Sequence, residues 1–135
     1  MREIKYIVIH CTDAPANQST KEILNYWRVH NGWKDPGYHY LINANGSYDQ
    51  IFPIEKPSNG VKGYNANSIH ICYKGGSNGI DTRTEKQKET MEMLVRQYHV
   101  RFPNAEIKGH RDFPNVTKKC PAFDVKNWLK VINLT

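Results

Sequence analysis

Residues 4–11, Ile-Lys-Tyr-Ile-Val-Ile-His-Cys, are rich in β-branched side chains. Such side chains favour β-strands, and a short, nearly continuous apolar run is typical of a strand that is buried on both faces. Strands of that kind occur in sheets that are covered by helices. Residues 4–11 therefore predict a buried strand that ends at His10.

Capping motifs predict three helices further along the chain. Ser19 and Glu22 stand three residues apart in a capping box, and an apolar stripe with helical spacing follows them. Thr84 and Gln87 repeat this arrangement before a second apolar stripe. Asp124 is placed to cap a third helix near the C-terminus.

Further strands are predicted between these helices. Tyr38–Asn43 and Ser47–Phe52 are joined through Asn45-Gly46, which is a strong hairpin signal. Ser68–Tyr73 and Ala105–Gly109 complete the set of strands. Strands that alternate with helices, together with one hairpin, predict an α/β (α+β) fold with a central mixed sheet of about five strands.

Length and composition restrict the class of protein. The 135 residues allow one domain spanning 1–135, with 39% hydrophobic and 24% charged residues as in ordinary globular proteins. Collagen-like, disordered, disulfide-rich and membrane-spanning classes are excluded. The apolar run near the N-terminus is too short for a signal peptide. We therefore expect cytoplasmic synthesis without a signal peptide.

The charge and the cysteine count each leave alternatives open. The formal net charge of +6 favours polyanionic partners such as nucleic acid or a bacterial envelope. The lysines are scattered and no nucleic-acid module is recognised, so we expect no specific nucleic-acid partner. The three cysteines, Cys11, Cys72 and Cys120, cannot all pair with one another, so at least one thiol is free, metal-bound or intermolecular.

His10, His110 and Cys120 are the first candidates for chemistry. Each histidine ends a predicted strand, where functional sites collect in α/β folds. Cys120 lies in a loop next to Pro121. Three nitrogen and sulfur ligands with a fourth position left to water describe a catalytic zinc site. The spacing matches no zinc-finger template, so structural histidines and a free loop thiol remain alternatives.

Five segments, in their order along the chain, resemble motifs of the zinc N-acetylmuramoyl-L-alanine amidases. They are Ile7–Thr12, Gly37–Ile42, Gly63–Ile69, Gly109–Asp112 and Cys120–Asp124. This family includes phage lysozymes and the peptidoglycan recognition proteins, and the resemblance covers nearly the whole chain. It implies their fold, one zinc ion per chain, and hydrolysis of the amide bond between N-acetylmuramic acid and L-alanine.

The resemblance also implies roles for individual residues. The family's zinc ligands fall on His10, His110 and Cys120, and two further residues needed for activity fall on Tyr38 and Lys118. Lys118 would stabilise the oxyanion together with zinc, and Tyr38 would position water or relay a proton. Without the resemblance, a core aromatic residue and a solvated lysine are the simpler interpretations.

Other residues are weaker candidates. Asn65 and Asn67 could line a glycan groove, although asparagine in such loops usually serves turn geometry. His39 and Asp112 could orient the metal ligands through hydrogen bonds, although structural roles are at least as plausible. Lys119 is a second candidate cation beside Lys118. The remaining histidines lie on ordinary helix or strand positions and are expected to be structural or exposed; they are His30, His70 and His99.

The expected partner is bacterial peptidoglycan, and the expected state is a monomer. A phage or prophage endolysin would act on the cell wall after release through a holin or a dedicated export system. The alternatives are a non-catalytic peptidoglycan-binding module and a regulator that binds another protein. Cys120 argues against the binding module, because non-catalytic members typically lack this cysteine. Gly60 replaces a histidine of the phage members, which leaves substrate preference open.

Overall fold

One five-stranded sheet organises residues 1–134, the part of the chain that the computed structural model describes. The strands are β1 (Tyr6–Cys11), β2 (Tyr40–Ile42), β3 (Tyr48–Gln50), β4 (Ser68–Tyr73) and β5 (Glu106–Gly109). The α-helices are α1 (Thr20–Val29), α2 (Glu85–Arg101) and α3 (Val125–Val131). The described residues include no helix with the length and apolar character needed to cross a membrane.

The sheet is mixed, with strand order β3-β2-β4-β1-β5. β1 lies between β4 and β5 and runs parallel to both, whereas β3 pairs antiparallel with β2. The central position of β1 explains its apolar sequence, since both of its edges and both of its faces are covered. The predicted α/β fold with a five-stranded mixed sheet is confirmed.

The two faces of the sheet have different coverings. Ile7 and Ile9 of β1 pack in the main core with side chains of α2 and α3. Val8 points to the other face and packs against Val61 and Phe113. Side chains alternate along a strand, so His10 shares the face of Val8. His10 therefore lies on the side of the sheet that α1 and loops cover.

The helices begin where the capping motifs predict. The Glu22 N–H donates to Ser19 Oγ at 3.1 Å, and the Gln87 N–H donates to Thr84 Oγ1 at 3.0 Å. Both capping boxes are complete. The Asn127 N–H donates to Asp124 Oδ1 at the start of α3. These local signals hold because each satisfies backbone N–H groups that have no partner inside the helix.

The hairpin strands are shorter than predicted. Tyr38 and His39 precede β2, which begins at Tyr40, and β3 ends at Gln50 instead of Phe52. All three residues of β3 are exposed at the edge of the sheet, where one side of the strand has no partner. Tyr38 thus lies in the segment that leads into β2.

Candidate metal centre and its surroundings

His10, His110 and Cys120 come together at the carboxyl ends of β1 and β5. One donor atom from each residue lies within 4.8 Å of the donor atoms of the other two. The cause is the parallel register, which pairs Ile9 with Gly109 and so brings the two following histidines to the same level. Their ring centroids are 4.9 Å apart.

Cys120 accepts hydrogen bonds from two backbone N–H groups, one at the end of β1 and one in the turn that follows β5. The Cys11 N–H donates to Cys120 Sγ at 3.1 Å, and the Arg111 N–H donates to the Cys120 carbonyl at 2.9 Å. The Cys120 thiol is buried. Its hydrogen bond with the Cys11 thiol and its burial raise the pKa of the Cys120 thiol. A coordinated cation would act in the opposite direction, because a metal-bound thiol is deprotonated.

Both candidate histidine ligands are held in the neutral form. Burial, together with the nearby rings of His70 and His110, places the pKa of His10 well below its usual range. Burial and the positive charge of Lys118 lower the pKa of His110 to about 4. Neutral imidazole is the form that binds metals, because it keeps one nitrogen lone pair free.

His70 is a member of this cluster that the sequence did not single out. Its Nδ1 lies 2.8 Å from His10 Nε2, and its ring is fully buried. His10 Nδ1 lies on the other side of the ring, 3.9 Å from Cys120 Sγ. A histidine inside a buried strand was the available signal, but its contact with His10 depends on the pairing of Val8 with His70 across two strands.

Tyr38 and Lys118 both lie beside the cluster. The ring centroid of Tyr38 is 4.6 Å from that of His10. Burial and neighbouring thiols raise the pKa of the Tyr38 hydroxyl, which strengthens its preference for the protonated form. Lys118 is exposed and lines a cleft together with His110. Lys119 instead lies over Gly79, where an added Cβ would meet the Lys119 side chain.

Two clefts lie near the cluster. One has a volume of about 280 Å³ and is lined by residues that include Trp27 and Tyr38. The other has a volume of about 530 Å³ and is lined by residues that include Tyr64, His110 and Lys118. The second cleft therefore borders His110 directly, and the first borders Tyr38, whose ring packs on His10.

Asp112 contacts the segment that carries His110, whereas His39 contacts His70 and Lys56. Asp112 Oδ2 accepts the Gly109 N–H at 2.8 Å and so closes the turn that carries His110. His39 Nδ1 accepts the His70 N–H at 3.0 Å, and His39 Nε2 lies 2.8 Å from the Lys56 carbonyl.

Asn65 and Asn67 have partners within the protein. Asn65 Oδ1 accepts the N–H groups of Gly60 and Val61, and it lies 2.9 Å from His70 Nε2. Asn67 Nδ2 donates to the Glu3 carbonyl at the opposite end of β4. The structure therefore brings Asn65 towards the cluster behind His70, and it does not bring Asn67 there.

The sequence matches the family model described as N-acetylmuramoyl-L-alanine amidase over residues 1–123. The endolysin of Klebsiella phage KP32 is 31% identical over 136 residues, which cover 94% of this chain and 86% of that protein. The endolysin of Escherichia phage T7 is 30% identical over 131 residues, which cover 90% of this chain and 83% of that protein.

Solved structures show the same fold. The endolysin LysCS from Clostridium intestinale superposes with a TM-score of 0.84 at 21% identity, covering 99% of this chain and 86% of that chain. Drosophila PGRP-LB superposes with a TM-score of 0.79 at 16% identity, covering 99% and 84%. The fold and the family predicted from the sequence motifs are both confirmed. The chain belongs to the N-acetylmuramoyl-L-alanine amidase family, as an endolysin-like peptidoglycan amidase.

Proposed function

We propose that the chain is a zinc-dependent endolysin that cleaves the amide bond between N-acetylmuramic acid and the L-alanine of the stem peptide. The observation that carries this proposal is the convergence of His10, His110 and Cys120 in a member of the amidase family. Family membership supplies the reaction class, and the three side chains supply a place for the metal.

The donor set fits zinc. Two imidazole nitrogens and one sulfur are ligands that zinc prefers, whereas magnesium and calcium take oxygen ligands. Three protein ligands also leave a coordination position for water, as catalytic zinc sites require. When bound, zinc lowers the pKa of a coordinated water towards ~7 and polarises a carbonyl oxygen.

Lys118 is proposed to stabilise the negative charge that develops on the attacked carbonyl oxygen. Its side chain lines the cleft together with His110, where the scissile amide would reach the metal. A positive group lowers the activation barrier when it interacts more strongly with the charge of the transition state than with the neutral carbonyl of the substrate. The side chain is exposed, so it is accessible to a bound substrate.

Tyr38 is proposed to act through its protonated hydroxyl. The ring packs on His10, and the raised pKa of the hydroxyl keeps its proton available for a hydrogen bond. Such a group can position the attacking water or relay a proton towards the leaving amine of L-alanine. It acts as a donor and not as a base, because the phenolate form is disfavoured by burial.

The two clefts are proposed to hold the two sides of the scissile bond. One cleft borders His110 and the other borders Tyr38 beside His10, so one would take the muramic acid side and the other the stem peptide. The net charge of +6 would add a diffuse attraction to the anionic cell envelope. Release from the producing cell through a holin or a dedicated export system remains part of the proposal.

The experiment measures bound zinc and digestion products for the full chain and three variants. Wild-type protein and His30→Ala should hold about one zinc per chain and release stem peptides with a free L-alanine amino group. Cys120→Ser and His110→Ala should lose both properties. His30 is an exposed residue at the end of α1, which makes it a matched control for removal of an imidazole.

Three outcomes would contradict the proposal. New reducing sugar ends would indicate a glycosidase. Zinc retained by both ligand variants would place the metal elsewhere. Binding to cell walls without any released peptide would indicate a peptidoglycan-binding module.

A further inference from the structure

We propose that His70 and Asn65 form a hydrogen-bond chain that fixes which nitrogen of His10 is free to bind the metal. His70 is a positioning residue in this scheme, because it acts through His10. The inference rests on the proposed metal site and adds a role that the five motifs do not assign.

The first atom of the hydrogen-bond chain is the side-chain oxygen of Asn65. The Gly60 N–H donates to Asn65 Oδ1 at 3.0 Å, and the Val61 N–H donates to the same atom at 2.8 Å. Backbone N–H groups can only donate, so two of them identify this atom as the carbonyl oxygen of the amide. His70 Nε2 lies 2.9 Å from that oxygen. An acceptor at this point requires that His70 Nε2 carries a proton.

His70 is the second residue of the hydrogen-bond chain. Its side chain is fully buried, and burial disfavours the charged imidazolium form. A neutral imidazole carries one proton, so protonation at Nε2 leaves a lone pair on Nδ1. That lone pair faces His10 Nε2 at 2.8 Å. His10 must therefore carry its proton on Nε2.

His10 is the last residue of the hydrogen-bond chain and belongs to the candidate metal centre. With its proton on Nε2, His10 presents the lone pair on Nδ1. This is the atom that lies on the side of Cys120 Sγ, at 3.9 Å. Hydrogen bonds from the second nitrogen of a ligand histidine set its tautomer and ring orientation, and losing them typically weakens metal binding by ~10–100-fold.

Packing holds the His70 ring in this orientation. A Cβ atom on Gly60 would lie 2.4 Å from His70 Nδ1, so the backbone of Gly60 touches one side of the ring. The ring of His39 stacks on it with a centroid distance of 5.9 Å and an interplanar angle of 8°. Asn65, Gly60 and His39 thus restrict His70 to the position that serves His10.

The test uses variants of the full chain that differ in one link. Asn65→Leu and His70→Phe remove an acceptor, whereas Asn65→Asp and His70→Gln keep an oxygen that can accept. Asn67→Leu is the matched control, because Asn67 lies in the same short 3₁₀ turn and also bonds to backbone. The first readout is the zinc dissociation constant from chelator competition. The second is the protonation of the His10 nitrogens, from ¹H–¹⁵N NMR of the zinc-loaded and zinc-free protein.

The expected result is a proton on His10 Nε2 in the wild type, with or without zinc. Asn65→Leu and His70→Phe should weaken zinc binding by ~10–100-fold. Asn65→Asp and His70→Gln should recover most of that loss, and Asn67→Leu should bind zinc as the wild type does. If His70→Phe does not fold, the pair Asn65→Leu and Asn67→Leu carries the comparison.

Two results would overturn the inference. The first is a proton on His10 Nδ1 in the wild type. The second is equal zinc affinity for Asn65→Leu and Asn67→Leu. A wild type that has the expected His10 protonation but binds no zinc would instead overturn the proposed metal site, so the two failures can be told apart.

Discussion

Lys118 and Lys119 are adjacent in the sequence but have different surroundings. Lys118 lines the cleft beside His110, whereas Lys119 lies over Gly79. Family resemblance selected Lys118, and the residue types alone could not separate the two. The structure places Lys118 in the same cleft as His110, which is consistent with that choice.

The first prediction compares these two lysines. Lys118→Ala should keep its zinc and lower turnover by ~10²–10³-fold, which is the typical effect of removing one group that stabilises an oxyanion. Lys119→Ala is the control and should keep both zinc and turnover. Steady-state rates with a soluble muropeptide check this. Equal losses in the two variants would contradict the assignment.

The second prediction concerns Tyr38. Tyr38→Phe keeps the ring packed on His10 and removes only the hydroxyl, so zinc content and stability should change little. Turnover should fall by ~10²-fold or more if the hydroxyl takes part in proton transfer. The KM should change less than the kcat. An unchanged kcat would leave Tyr38 with a packing role alone.

The third prediction concerns pH and His39. Burial lowers the pKa of this side chain to about 4, against 6.5 for an ordinary histidine. The unfolded chain binds this proton more tightly than the folded protein does. The contribution of neutral His39 to the free energy of unfolding is therefore complete above pH 6.5 and is lost as the pH falls towards 4. The loss for this one group is on the order of 3 kcal/mol.

Urea unfolding of the wild type and His39→Asn at pH 7.5 and pH 4 checks this prediction. The variant keeps an oxygen that can accept the His70 N–H, but it has no imidazole to titrate. Its stability should fall by about 3 kcal/mol less than that of the wild type over the same range. Equal losses would mean that His39 does not titrate with a lowered pKa.

At the level of the elements, the end of β5 and the turn after it place His110. Asp112 Oδ2 accepts the Gly109 N–H and closes this turn, while the Arg111 N–H ties it to Cys120. These bonds connect two of the three candidate ligands through backbone groups. The position of His110 therefore depends on a carboxylate that does not itself join the cluster.

The fourth prediction tests that dependence. Asp112→Ala removes the acceptor for the Gly109 N–H and should lower the unfolding free energy by about 1 kcal/mol. It should also weaken zinc binding, because His110 would lose its fixed position. Asp112→Asn keeps an acceptor oxygen and should retain most of both properties. Calorimetry and chelator competition measure the two effects, and unchanged zinc affinity in Asp112→Ala would contradict the account.

Local signals predicted most of the elements. The capping boxes at Ser19 and Thr84 placed two helices, since their hydrogen bonds are formed by residues three apart. The β-branched run predicted β1 and the strand end that carries His10. The two hairpin strands were predicted to be longer than they are, because the end of an edge strand depends on its pairing partner and not on propensity alone.

The candidate site was predicted less completely, and for a physical reason. The sequence motifs pointed to His10, His110 and Cys120, and the structure brings these three together. His70 stands 60 residues from His10 in the sequence, and their contact depends on the parallel register of β1 and β4. Nothing within a local segment specifies that register, so this part of the cluster became visible only in three dimensions.

At the level of the whole molecule, the net charge of +6 would act on attraction to the cell wall, whereas the clefts would act on binding of the substrate. Charge acts over a Debye length of ~10 Å at 0.1 M salt and so concentrates the protein near an anionic wall. The clefts and the candidate metal ligands would act at contact distance. Binding to the wall and hydrolysis should therefore respond differently to ionic strength.

The fifth prediction follows from this difference. Raising the salt concentration from 0.05 to about 0.5 M should weaken sedimentation of the protein with intact cell walls, because exposed charges are screened. Turnover of a small neutral muropeptide should change much less. Parallel loss of both would show that salt acts on the site itself and not on the long-range attraction.

The most direct test of the central claim is a zinc titration of the metal-depleted full chain, with the release of stem peptides that begin with L-alanine as the readout. We predict almost no release before zinc is added and a plateau at one equivalent, as expected for a single site formed by His10, His110 and Cys120. Full release of these peptides from protein that contains no metal would contradict it.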